Sequence, residues 1–74
     1  MPRYFFNVLN DVKTRDFEGV ELPDLAAARG EAEKDIADII QSHFQSIGAD
    51  WSAWSIEIVN RKGALLLVVP FSKQ

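Results

Sequence analysis

Residues 61–71 read RKGALLLVVPF, and this stretch decides how the fold has to be built. A turn-like Arg-Lys-Gly leads into five aliphatic residues with no polar side chain among them. In a strand, successive side chains point to opposite faces of the sheet. The stretch therefore divides its apolar side chains between two faces: Leu65, Leu67 and Val69 against Leu66 and Val68. A single helix covers one face of a sheet, so the second face needs another cover.

The chain of 74 residues predicts one domain spanning residues 1–74. Its composition, with 47% hydrophobic and 26% charged residues, is that of a globular protein. The absence of cysteine excludes disulfide bonds and thiolate metal sites. Because so small a chain has none of these cross-links, we expect a second copy to complete its core.

Charge and hydropathy patterning restrict the partners and the location. The net charge of −3 argues against nucleic acid, although a local basic patch remains compatible with an acidic chain. Residues 1–10 lack the apolar run of a signal peptide. No stretch approaches the roughly 20 apolar residues of a membrane span. We therefore expect a cytoplasmic protein without a membrane partner.

Four strands are predicted, in two hairpins. The first hairpin pairs residues 3–10, rich in aromatic side chains, with a charged edge strand at residues 12–18 that Gly19 ends. The second hairpin pairs residues 53–60 with residues 64–71 across a glycine-containing turn.

One long helix is predicted between the hairpins, over residues 25–47. Pro23 disfavours helix before it, Asp24 is a suitable N-cap, and Gly48 is a suitable stop. Gly30 lies inside this segment at a cost of about 1 kcal/mol, which predicts a close approach to the sheet or a bend. The apolar stripe has three- and four-residue steps: Leu25, Ala28, Ala32, Ile36, Ile39, Ile40, His43 and Ile47.

The order ββαββ predicts an α+β fold, with one antiparallel or mixed sheet and the single long helix on one face. The position of the first strand beside either member of the second hairpin stays open. A helix of about 23 residues is about 35 Å long, whereas strands of about seven residues reach about 23 Å. The helix should therefore overhang the sheet, and its end near Phe44 needs the segment of Trp51 and Trp54 or another subunit beneath it.

The second sheet face supplies the main functional hypothesis. Each apolar side chain buried there contributes about 1.5–3 kcal/mol. We therefore predict a non-enzymatic module that forms a homodimer, or binds another protein, through this face. The predicted interface comprises Phe5, Leu9, Val59, Leu66 and Val68.

No catalytic, cofactor-binding or metal-binding motif is present in the sequence. His43 is the only histidine, and its position on the apolar stripe favours packing over catalysis. Glu31, Asp35 and Asp38 share one side of the helix with Lys34, which favours a solvated surface over a cation site. We expect no enzyme activity, no cofactor and no metal; the competing hypothesis is a site built on His43 with nearby carboxylates.

The alternative hypothesis is that the first hairpin carries a patch that binds nucleic acid. We expect Arg3, Lys13 and Arg15 to gather at this hairpin, with the aromatic side chains of Tyr4 and Phe5 nearby. Aromatic groups flanked by cations are how some sheets stack bases. The number of cations is small and acidic residues share the hairpin, so this alternative is the less favoured one.

Three stretches resemble a known family: MPRYFFNV, GVELPDLAAAR and WSIEIVNRKGALLLVVPF. They are similar to a family of small uncharacterised proteins from rhizobia and related alphaproteobacteria, a domain of unknown function. The resemblance covers nearly the whole chain and implies a bacterial, cytoplasmic origin without an assigned activity. Many members have histidine where this chain has Asn7, and an acidic turn where residues 60–63 are basic.

A second resemblance, to the HicB-type antitoxins, covers residues 22–25 and the order of the elements. Their short ββα core has a similar passage from strand through Pro-Asp-Leu into a helix. It implies an antitoxin-like regulator that binds a small toxin and self-associates. A shared fold by itself says little about function.

Overall fold

A computed structural model describes residues 2–10, 13–42 and 54–71. The predicted α+β class is confirmed, with an antiparallel sheet of five strands and one helix in the described part of the chain. In chain order the elements are β1 (Arg3–Leu9), β2 (Lys13–Thr14), β3 (Val20–Glu21), α1 (Leu25–Ser42), β4 (Ser55–Val59) and β5 (Leu65–Pro70).

The strand order, which the sequence left open, is β2-β1-β4-β5. All the pairings are antiparallel, and the first strand lies beside β4 rather than β5. The short strand β3 pairs with the other end of β1, at Arg3 and Tyr4. The outer edge of β1 is therefore shared by two short strands, β2 near its end and β3 near its start.

The core lies between the sheet and α1. Ala28 and Ala32 are fully buried, and because their side chains are small the helix can pack close to the sheet. Ile56 and Ile58 of the central strand β4 are the largest fully buried side chains. The remaining buried apolar residues are Tyr4, Phe6, Ile36, Val69 and Phe71.

The start of the helix is as predicted. The amide of Ala27 donates a hydrogen bond to the Asp24 carboxylate at 2.9 Å, so Asp24 is the N-cap. The helix is described to Ser42. Three predictions concern residues outside the described part of the chain: the continuation of the helix to residue 47, its stop at Gly48 and its overhang near Phe44.

The prediction of one strand over residues 12–18 is wrong. Strand β2 has two residues, and the chain then leaves the sheet and returns at Val20 to form β3. Between these strands the amide of Phe6 donates to the Asp16 carboxylate at 3.1 Å. A side chain thus occupies the place of a strand partner, which short-range alternation cannot reveal.

The alternation predicted for β5 is also broken. Ile58 pairs with Leu67, but Val59 pairs with Leu65, so Leu66 is the extra residue of a β-bulge. The bulge places Leu65 opposite Val59 instead of on the face of Leu67. A continuous aliphatic run has no polar residue that would mark such a shift.

Gly30 does not mark a close approach of α1 to the sheet. The helix is continuous through this position, and a Cβ added there would have no heavy atom within 4 Å. We therefore expect Gly30→Ala to stabilise the fold by about 0.5–1 kcal/mol, because alanine reduces the entropy of the unfolded chain. Urea denaturation followed by circular dichroism measures this gain, and a destabilised variant would contradict the open position of Gly30.

Candidate functional site: the open sheet face

The sheet has one face toward α1 and one face away from it. Side chains that alternate with the buried Tyr4, Phe6, Ile56 and Ile58 lie on the far side. We call this far side the open face; it comprises Phe5, Asn7, Leu9, Glu57, Val59, Leu65 and Val68, together with Leu66 at the bulge.

The predicted interface residues differ in exposure. Leu66 is 39% exposed and Val68 is 45% exposed, whereas Phe5, Leu9 and Val59 are half-buried. Leu65, which the sequence analysis placed on the other face, is 55% exposed. The exposed apolar surface of the open face is therefore concentrated on β5.

The middle of the open face is polar. Asn7 and Glu57 are neighbours in the β1–β4 ladder. The ammonium group of Lys13 reaches the Glu57 carboxylate at 3.2 Å, from a strand on the other side of β1. The face therefore has a cation and a carboxylate beside its apolar strip.

The loop between β2 and β3 is held against β1 by Asp16. Its carboxylate accepts hydrogen bonds from the amides of Phe6, Glu18 and Gly19 at 3.0–3.1 Å. Its own amide donates to the side-chain oxygen of the buried Asn7 at 2.9 Å. Partial burial raises the pKa of Asp16, but the amides of Gly19, Phe6 and Glu18 outweigh this and lower the pKa below its ordinary value.

Gly19 brings this loop close to the ring of Phe5. Its φ of +72° lies in the left-handed region, which favours glycine. A Cβ at this position would lie 2.8 Å from the ring carbon Cε2 of Phe5 and 2.9 Å from Cγ of Arg3. The loop therefore packs along the rim of the open face, and this explains why Phe5 is half-buried.

Two open depressions adjoin at the end of the open face near the start of β1. One has a volume of about 200 Å³, and its lining includes Phe5, Arg15, Phe17 and Arg61. The other has a volume of about 360 Å³ and is lined by Pro2, Arg3, Asn60, Arg61 and Lys62. Both are lined by Asn60 and Arg61, so they adjoin, and we call the two together the basic groove.

The predicted patch of Arg3, Lys13 and Arg15 does not gather at one point. Arg3 and Lys13 lie at opposite ends of β1, about 20 Å apart at the usual rise of a strand. Arg3 forms an ion pair with Glu21 at 3.4 Å, and Lys13 pairs with Glu57. Arg3 and Arg15 both line the basic groove, together with Arg61 and Phe17, whereas Lys13 is not among its lining residues. The sequence does not predict Arg61 and Phe17 as neighbours, because only the strand order brings them together.

Asp35, on the acidic side of α1, is partly buried. Partial burial raises the pKa of Asp35, and the nearby carboxylates of Glu31 and Asp38 raise it further. Within residues 2–10, 13–42 and 54–71, no group of histidine or carboxylate side chains is arranged to hold a metal ion. His43 lies outside the described residues, so a site built on it stays a hypothesis.

Comparisons with known proteins give a family and no activity. Among the described residues, no helix has the length and apolar character needed to cross a bilayer. No significant match was found among curated proteins or among solved structures. The HicB likeness, the alphaproteobacterial origin and the cytoplasmic location stay predictions. Residues 3–72 match a family described as a domain of unknown function, DUF6894, and the chain belongs to that family.

Proposed function

We propose that this protein is a non-enzymatic module that binds a second copy of itself through the open face. The observation that carries the proposal is the exposure of Leu65, Leu66 and Val68 on one strand. Each such side chain contributes about 1.5–3 kcal/mol when it is fully buried. Isolated apolar residues on a surface are ordinary, but a contiguous strip is typical of an interaction site.

The face, rather than the edge of β5, is the surface suited to contact. The amide of Phe71 donates to the carbonyl of Trp54, so alternate residues direct their backbone groups toward β4 and Pro70 directs its backbone outward. Proline has no N–H to offer a new strand there, and the bulge at Leu66 interrupts the other end. Both features discourage strand addition and leave the side chains of β5 as the contact.

A second copy is the occupant that fits the charges of the face. In a twofold contact, the same patch of each copy meets its counterpart. Lys13 and Glu57 give the face one cation and one carboxylate beside its apolar strip. A rotated copy therefore has an opposite charge available for each, and the apolar strips meet without like-charge repulsion.

The size of the face sets the strength of the dimer. Strands β1, β2, β4 and β5 have seven, two, five and six residues. At about 3.3 Å per residue and a spacing of about 4.8 Å they present about 300 Å² in projection. A standard stable interface buries about 800 Å² per partner. We therefore expect a weak dimer, with a dissociation constant on the order of 100 µM.

Sedimentation equilibrium of the full chain tests the proposal. We expect the average mass to rise from one chain toward two as the concentration passes through the high micromolar range, and Leu66→Asp to remain monomeric. Val20→Asp is a matched control, because Val20 is 40% exposed and lies on β3, away from the open face. This control should associate like the natural chain.

A natural chain that remains monomeric to millimolar concentration, with no change in Leu66→Asp, contradicts self-association. Equal loss of association in Leu66→Asp and Val20→Asp contradicts the choice of the open face. If the chain is monomeric and its open face binds a different protein, that protein is the partner instead of a second copy.

A further inference from the structure

The basic groove is separate from the strip on β5 and has a different chemistry. Arg61 and Lys62 belong to the turn between β4 and β5, whereas Arg15 and Phe17 belong to the loop beside β1. The strand order brings these two segments together across the start of β1. The groove thus combines cations from two distant parts of the sequence.

The cations of the groove are available to a ligand. Within the described residues, Arg15, Arg61 and Lys62 form no ion pair and are exposed. Asp16 also lines the groove, but its oxygens already accept three backbone amides. A guanidinium group can donate two parallel hydrogen bonds to a phosphate, so two free arginines favour a phosphate-bearing ligand.

Phe17 is the second observation that points to a ligand. Its side chain is 84% exposed at the rim of the groove, the largest exposure among the described large apolar residues. A phenyl ring left in water contributes nothing to the fold. An exposed ring beside free cations is suited to stack on a planar group that carries negative charge.

We propose that the basic groove binds a segment of single-stranded nucleic acid. Its backbone phosphates contact Arg15, Arg61 and Lys62, and one base stacks on Phe17. A single strand combines repeated negative charge with accessible flat bases, whereas a duplex hides its bases within the stack.

The acidic net charge does not prevent this binding. The carboxylates of the helix, Glu31, Glu33, Asp35 and Asp38, belong to α1, which packs on the other face of the sheet. Asp35 interacts electrostatically with Asp16, which lines the groove, but the Debye length at physiological salt is about 8 Å. Screening therefore weakens the repulsion between the helix carboxylates and a phosphate in the groove.

Fluorescence anisotropy with labelled oligothymidylate and oligouridylate, titrated with the full chain, tests the proposal. Between about 50 mM and about 200 mM salt, the logarithm of the affinity should fall with a slope of about −2, as about three phosphate contacts require. Arg61→Gln should make this slope shallower by about 0.7. Phe17→Ala should weaken binding by about 5- to 150-fold and leave the slope unchanged, because it removes stacking only.

Arg29→Gln is the matched control, since Arg29 is an exposed arginine on α1 that pairs with Glu33. It should bind like the natural chain, and so should Leu66→Asp, which keeps the groove but lacks the contact proposed for dimers. Absence of binding at low salt overturns the proposal. Binding that is insensitive to Phe17→Ala, or that polyphosphate or an acidic peptide matches in strength, also overturns it.

Discussion

Ile58→Ala is expected to remove about 2–5 kcal/mol from the free energy of unfolding. Ile58 is fully buried on the central strand, between Phe6 on β1 and Leu67 on β5. Alanine there leaves a cavity beneath α1 that the flanking strands cannot fill without breaking their ladders. A domain of this size has roughly 4–11 kcal/mol of stability in total, so much of the fold's margin would be lost.

Urea denaturation of Ile58→Ala measures the loss, and Val59→Ala is its control. Val59 follows Ile58 on the same strand but lies half-buried on the open face. We expect the control to lose about 1 kcal/mol or less at concentrations where the chain is monomeric. Equal losses in the two variants would contradict the division of the sheet into a covered face and an open face.

Asp16→Ala is expected to remove about 2–4 kcal/mol, which is large for a half-exposed surface residue. The substitution leaves three amides without their acceptor, including that of the buried Phe6. Asp16→Asn retains one oxygen acceptor and should lose less. Glu18→Ala is the control, because Glu18 is an exposed acidic residue of the same loop.

The contribution of Asp16 also depends on pH. Because its pKa is lower in the folded chain than the ordinary value of about 3.9, its stabilisation is complete above that value. The stabilisation is lost as the pH falls through the lower, folded pKa. Below pH 4 the natural chain should therefore lose more stability than Asp16→Asn, as thermal unfolding in acidic buffers can measure. Parallel curves for the two proteins would contradict the role of the carboxylate.

The sequence predicts the parts of this fold that local patterns encode. The helix start follows from Asp24, and the second hairpin follows from its turn and its apolar strands. The two-residue strand β3 is too short to show a period, and its partner on β1 is distant in sequence. The bulge at Leu66 left no signal, because both faces of β5 are apolar.

The two candidate surfaces differ in the same way: local patterns encode the open face, whereas the basic groove depends on the strand order. The alternation of apolar residues along the strands predicts which side chains share the open face. Leu65 is the exception, because the bulge shifts it to this face. The basic groove was missed because Phe17 and Arg61 meet only through the placement of β1 beside β4. The first hairpin predicts a patch of Arg3, Lys13 and Arg15 instead; Arg3 and Arg15 line the groove, whereas Lys13 pairs with Glu57 on the open face.

The most direct test of the central claim, self-association through the open face, is an isotope-filtered NOE experiment. A mixture of carbon-13-labelled and unlabelled chains at high concentration reports contacts between copies alone. We expect intermolecular NOEs at the methyl groups of Leu65, Leu66 and Val68. Intermolecular NOEs confined to the surface of α1, or none at millimolar concentration, would contradict the claim.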